Sequence, residues 1–206
     1  MKSAWLRLVR TGHARDVAIV ACLIVLIVVV VVLGPGSADG HGDRGSAYRN
    51  PTAQVAARIP AGWRALERPI DGILYPVQVL AAASFPVTVP HHPRGCHPGG
   101  VLGQMPADGV LLKVFEYAAR NPAGKPLRVP KLPPRPRRFH YRDAEYGPFE
   151  CAGPSYKFTF AQAGRAFQAH VWFDRESVDP TGRRQALRIL DSFHPTGGTK
   201  RDVARR

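Results

Sequence analysis

Val17 to Leu33 is a run of 17 residues with no charge, proline or glycine, dense in Val and Ile. As a helix rising 1.5 Å per residue it covers about 26 Å, slightly under the roughly 30 Å of a bilayer's hydrocarbon core. Gly34 and snorkelling flanks supply the remainder. β-Branched residues are mediocre helix formers in water, but lipid offers the backbone no hydrogen-bond partner except itself. The run therefore predicts one transmembrane helix over 17–34. Lys2, Arg7, Arg10 and Arg15 precede it against Asp16 alone, whereas Arg44 and Arg49 follow it against Asp39 and Asp43. By the positive-inside rule the N-terminus faces the cytoplasm and the rest of the chain lies outside. A cleaved signal peptide fits less well, because its apolar core is shorter and Gly34-Pro35-Gly36-Ser37-Ala38 is a poor cleavage pattern. Ile19-Val20-Ala21-Cys22 has the letters of a lipobox, yet eleven more apolar residues follow Cys22.

The other segments follow from this anchor. Residues 1–16 form a basic cytoplasmic N-terminus, and 35–47, rich in Gly, Ser and Asp, a flexible linker. Residues 196–206 form a disordered basic tail. Between them 48–195 is long enough for one core burying about 68–70 % of the unfolded surface. The chain's 206 residues leave no room for a large multidomain enzyme, and 45 % hydrophobic content excludes a compositionally disordered chain.

Within the domain, strands dominate. Ser155 to Gln162 and Arg165 to Asp174 alternate apolar and polar residues and are joined by Ala163-Gly164, which predicts a tight hairpin. Val77 to Ala83 and Val110 to Tyr117 read as strands, and Phe139 to Tyr146 as a weaker one. Asp179 caps a helix with Pro180 in its first turn and Ala186, Leu187, Leu190 and Phe193 at helical spacing. Its arginines Arg183, Arg184 and Arg188 are expected to face outward, and Pro195 closes it. A second helix is expected near Pro51 to Arg58. Together these elements predict an α+β fold, an antiparallel sheet with a C-terminal helix packed on one face.

Ile59-Pro60-Ala61-Gly62-Trp63, the aromatic hairpin and the closing Arg188-Ile189-Leu190-Asp191-Ser192-Phe193 resemble the small extracytoplasmic α+β domains of actinobacterial single-pass membrane proteins and lipoproteins, and the broader PsbP-like fold. The resemblance spans about residues 55 to 195 and consists of packing motifs. It implies a fold and a compartment but no chemistry.

Cys96 and Cys151 are the two cysteines outside the apolar run, and an extracytoplasmic pair reads first as a disulfide. Closing that loop would stabilise the fold by on the order of 4 kcal/mol. The competing reading is a metal or enzymatic site in His91-His92-Pro93-Arg94-Gly95-Cys96-His97, three imidazoles and a thiol whose spacing matches no standard set. From Tyr117 to Arg142 there is no acidic residue while eight basic ones are interleaved with proline. Lys131, Arg135, Arg137 and Arg138 of this strip are candidate contacts for a polyanion, either lipid head groups, an envelope polymer or an acidic protein. The chain as a whole carries a net charge of +14, but an extracytoplasmic domain does not meet nucleic acid. No hydrolase elbow, phosphate loop, dinucleotide fingerprint or zinc-protease motif occurs. Trp63, Trp172, Tyr156 and Phe160 are candidates for an apolar ligand groove, though aromatics at strand spacing more often form core. The expectation is a non-catalytic, cofactor-free binding or accessory domain anchored by a single membrane pass.

Overall fold

A computed structural model describes residues 45–91, 98–118, 120, 124–148, 153–173 and 180–197. The predicted transmembrane run, Cys96 and Cys151 lie outside them. Among the described residues no helix is long and apolar enough to cross a membrane.

The strands are β1 (Ser46–Asn50), β2 (Val55–Ile59), β3 (Arg64–Ala65), β4 (Val77–Ala83), β5 (Val110–Tyr117), β6 (Glu145–Pro148), β7 (Pro154–Gln162), β8 (Arg165–Phe173) and β9 (His194–Pro195). Two helices, α1 (Gly99–Leu102) and α2 (Pro180–Ser192), and a 3₁₀ turn at Tyr141–Asp143 complete the described elements. Six strands form an antiparallel sheet in the order β3-β4-β5-β8-β7-β6, and β1-β2-β9 form a smaller one. The α+β class expected from the sequence is what the chain adopts.

The β7–β8 hairpin forms as its alternation predicts. Its turn residues Ala163 and Gly164 have φ of 50° and 72°, the left-handed pair whose twist matches the flanking strands. Phe158 and Phe160 of β7 and Phe167, Ala169 and Val171 of β8 face α2, which seats Ala186, Ile189 and Leu190 among them. Val55, Ala57 and Ile59 of β2 enter the same core, so α2 and the small sheet cover one face together. Arg165 ties the layers: its guanidinium donates to both carboxylate oxygens of Glu116 and to the carbonyls of Ala53 and Gln54. Trp63 and Phe160, named as groove candidates, are buried in this core, and Trp172 is buried on the opposite face.

Three expectations are corrected. Residues 51–58 are not a helix. Pro51–Gln54 turn, with Gln54 at φ 51°, and Val55–Ile59 pair with β1 and β9. The helical propensity of the two alanines yields to strand pairing and burial. Phe139 to Tyr146 divides between the 3₁₀ turn and the start of β6. Arg183 does not face outward, because its guanidinium lies 4.9, 5.4 and 5.3 Å from the ring centres of Tyr141, Tyr156 and Phe173. In addition, β1 begins at Ser46, inside the stretch read as linker.

Candidate functional site

The proline-rich basic strip is held, and the way it is held sorts its cations into two kinds. Proline removes N–H donors and restricts φ, so such a segment stays extended unless something pins it. Here Pro133–Arg135 lie beside the end of β7: the Ala161 amide donates to the Pro133 carbonyl (2.7 Å) and the Arg135 amide to the Ala161 carbonyl (2.8 Å). The Arg135 guanidinium then turns onto the C-terminal end of α2, donating to the carbonyls of Leu190 (3.1 Å) and Asp191 (2.7 Å). The last carbonyls of a helix lack an i+4 partner within it and carry the negative end of its dipole, which favours a cation there; the Leu190 carbonyl also accepts from the Phe193 amide at 3.2 Å. Farther on, the Phe139 amide donates to the Asp191 carboxylate at 2.9 Å, and the Tyr141 hydroxyl donates to the Arg183 carbonyl at 3.0 Å. The segment 135–141 is thus fastened along α2.

Of the four residues singled out in the sequence, Arg135 is half-buried and engaged as an anchor, while Lys131, Arg137 and Arg138 are exposed. Arg142 is exposed too, 3.7 Å from the equally exposed Asp143, and Arg184 of α2 is exposed one residue beyond the stacked Arg183. The result is a fixed flank with outward guanidinium groups.

The opposite face of the large sheet holds the other chemistry-bearing cluster, which the sequence reading did not identify. The chain from 66 to 76 crosses this face as a strap. The Leu66 amide donates to the Ala81 carbonyl, and Gln78 makes a pair of hydrogen bonds to the strap, accepting from the Ile70 amide (3.1 Å) and donating to the Arg68 carbonyl (3.2 Å). On the same face runs a cross-strand row, which the strap meets at its Lys113 end. Lys113 of β5 is paired with His170 of β8, His170 with Lys157 of β7, and Lys157 with Glu145 of β6. Both ends of this row carry a carboxylate. Asp71 of the strap accepts from Lys113, whose side chain is 0 % exposed, and Glu145 meets Lys157 at 2.6 Å.

Burial drives the Lys113 ammonium down to about 8, against the opposing pull of Asp71. Burial, reinforced by the two flanking lysines, drives His170 down to about 3, so the imidazole is neutral at physiological pH. Its hydrogen bonds can be oriented from one end. The Tyr117 hydroxyl donates to Gln168 Oε1, which turns the Gln168 amide N–H toward His170 Nε2 at 2.5 Å. Nε2 is then an acceptor, so Nδ1 carries the proton and donates to Ser155 Oγ at 2.9 Å. A serine that accepts from histidine is not activated by it, and the general-base geometry of a nucleophilic serine is reversed here. The row is an internal polar seam.

Beside the strap, Arg68, Pro69, Asp71, Gly72, Ile73, Leu74, Pro90 and His91 line a depression of about 270 Å³. His91 Nδ1 accepts from the Arg68 guanidinium at 3.3 Å, which occupies that ring nitrogen. The remainder of the Cys96/His loop lies outside the described residues. Among the described residues no group of three or more His, Cys, Asp or Glu side chains could hold a metal ion. Signals in the sequence did exist for the seam. Lys113 interrupts an otherwise apolar Val110–Phe115, and a lone ammonium in such a strand calls for a buried acid.

No protein-family model matches the chain, and neither a curated protein nor a solved structure matches it.

Proposed function

We propose that this chain is a membrane-anchored binding domain whose basic flank docks an anionic component of the cell envelope. In this reading the 17–34 segment crosses the membrane once with the N-terminus cytoplasmic, and a Cys96–Cys151 disulfide staples the extracytoplasmic domain. The observation that carries it is the pinning of the basic strip. Arg135 and Phe139 fasten the segment to α2 and so hold Arg137 and Arg138 outward without the ordering cost a mobile loop would meet on binding. The oriented seam around His170 supports a non-catalytic role, since its one serine–histidine pair points the wrong way for acyl transfer.

Two measurements test this. Arg137→Ser/Arg138→Ser should elute from an immobilised polyphosphate matrix at clearly lower salt than the parent, while Arg58→Ser/Arg64→Ser, which removes the same charge from exposed positions elsewhere, should elute later than that pair. Equal elution of the two variants refutes a localised docking flank. Thiol mapping of the native membrane protein, alkylated before reduction, should return a linked Cys96–Cys151 peptide. Free thiols at both positions would overturn the extracytoplasmic assignment and return the Cys96/His loop to consideration as a metal or redox site.

A second reading rests on the depression beside the strap, whose walls include Pro69, Ile73, Leu74 and Pro90. A small apolar ligand carried there would appear as added mass under native mass spectrometry, removed by Ile73→Arg.

A further inference from the structure

The pinned strip runs directly into a set of aromatic rings. Tyr146 of β6 is directly paired with Tyr156 of β7, their ring centres 4.7 Å apart, and Tyr156 lies 4.8 Å from Tyr141, the residue next to Arg142. Arg183 donates to the Tyr156 hydroxyl at 3.1 Å and lies over the rings of Tyr141, Tyr156 and Phe173. That guanidinium fixes the rings in place, and the outermost, Tyr146, remains 58 % exposed. Its removal from water would be favourable if a partner offered a flat apolar face.

We infer that this flank binds an acidic polysaccharide: a sugar ring rests on Tyr146 and carboxylate or phosphate groups along the same polymer meet the guanidinium groups of Arg142, Arg138 and Arg137. The inference rests on the docking reading above and names the partner's chemistry. Two features select a glycan among polyanions. A pyranose presents a face of polarised C–H groups to the negative face of an aromatic ring, and tyrosine's hydroxyl can bond a sugar hydroxyl at the ring's edge. The cations are distributed along a segment pinned to α2, over the bend at Arg137–Arg138 and the 3₁₀ turn that holds Arg142, rather than clustered at one point, which suits charges repeating along a polymer. Among the described residues, the exposed Arg137, Arg138, Arg142 and Arg184 and the ring-stacked Arg183 stand here with the carboxylates of Asp143 and Asp191. Asp191 is already engaged by the Phe139 amide. Lys157 and Glu145 pair on the other face of the sheet and take no part.

The test is calorimetric titration of the full-length chain in zwitterionic detergent with oligogalacturonate, its fully methyl-esterified counterpart, and vesicles of phosphatidylglycerol. Oligogalacturonate should bind, and the uncharged ester should bind at least about tenfold more weakly, with added salt abolishing the difference. Tyr146→Ala should weaken oligogalacturonate about 5- to 10-fold, near the low end of what alanine substitution gives for a ring stacked on a nucleobase, while Tyr146→Phe stays within about twofold. If Tyr146→Ala binds like the parent while Arg137→Ser/Arg138→Ser loses affinity, the glycan assignment fails and the docking flank survives. If neither variant changes binding, both fail. Tighter binding to the vesicles than to oligogalacturonate, weakened by Tyr146→Ala, also overturns the assignment, in favour of a lipid surface.

Discussion

The two faces of the six-stranded sheet are buried by different means. One is covered by α2 and the small sheet, and its core is aromatic and aliphatic: Phe139, Phe158, Phe160, Phe167 and Phe193 pack edge to face or stacked around Leu190. The other is covered in part by α1 and the strap, and there Trp172, Leu111 and Phe85 share space with Lys113, Asp71, Ser155 and His170. Hydrocarbon packing tolerates imperfect neighbours, since its cost scales with the volume lost. A polar seam tolerates none, since each member's charge or hydrogen bond depends on another. The difference teaches where this fold is brittle in kind: on the strap face a substitution is judged by what it orphans, on the helix face by what it empties.

The sharpest way to break the comparison is to open each face once. Asp71→Ala leaves the Lys113 ammonium buried without its acid and should cost about 3–5 kcal/mol by chemical denaturation. Phe160→Ala, which empties a fully buried site on the helix face, should cost a similar 3–5 kcal/mol. The two then diverge on repair. Adding Lys113→Met to Asp71→Leu should restore or exceed parental stability, because a buried ion pair is replaced by apolar volume, and no partner substitution is expected to rescue Phe160→Ala. If the Asp71→Leu/Lys113→Met pair remains several kcal/mol below the parent, the seam contributes net stability and the contrast is wrong.

Acid separates the faces next. His170 titrates far below the value of 6.5 it has when unfolded. Between those values the unfolded chain binds a proton that the folded one refuses, so stability rises with pH across this window and is lost as pH falls toward 3. One such proton gives a slope of up to about 1.4 kcal/mol per pH unit. His170→Gln should flatten the pH dependence between pH 6 and 4, whereas Phe158→Leu on the helix face should shift the whole curve without changing its shape. Lys113 acts in the same sense at the other end: with its folded value near 8, below the 10.5 of the unfolded chain, its contribution rises with pH between 8 and 10.5.

A smaller effect distinguishes two arginines in one strip. Arg135→Gln forfeits its bonds to the α2 carbonyls and should cost about 1–2 kcal/mol. Arg137→Ser should stay within about 0.5 kcal/mol, as for an exposed side chain with no packing role.

Much of the helix face was legible because period carries it. The hairpin, β4, β5 and α2 announce themselves by spacing, and their observed limits fall within a residue or two of those read from the chain. The small sheet was not legible. Its strands are five, five and two residues long, and Val55-Ala56-Ala57-Arg58-Ile59 has no local preference strong enough to oppose a helical reading. The seam was hidden for a different reason. His170 and Lys157 occupy the polar halves of the two alternating hairpin strands, and His170 is buried there by residues distant in sequence, Phe115 of β5 among them. For the candidate site, the basic strip was visible as composition. The separation of Arg135 from Arg137 was not, because it depends on the α2 carbonyl end, some 55 residues away in sequence.

The proline segment against β7 has one more consequence. β6 takes the first part of that strand's free side, from Pro154 to Lys157, and Pro133–Arg135 take Ala161 near its end, so little of the outer border is left for a foreign strand to recognise. The prolines that do this cannot themselves offer a continuous row of donors to a further strand. Copies held close together therefore find little of β7 itself free to extend into a shared ribbon.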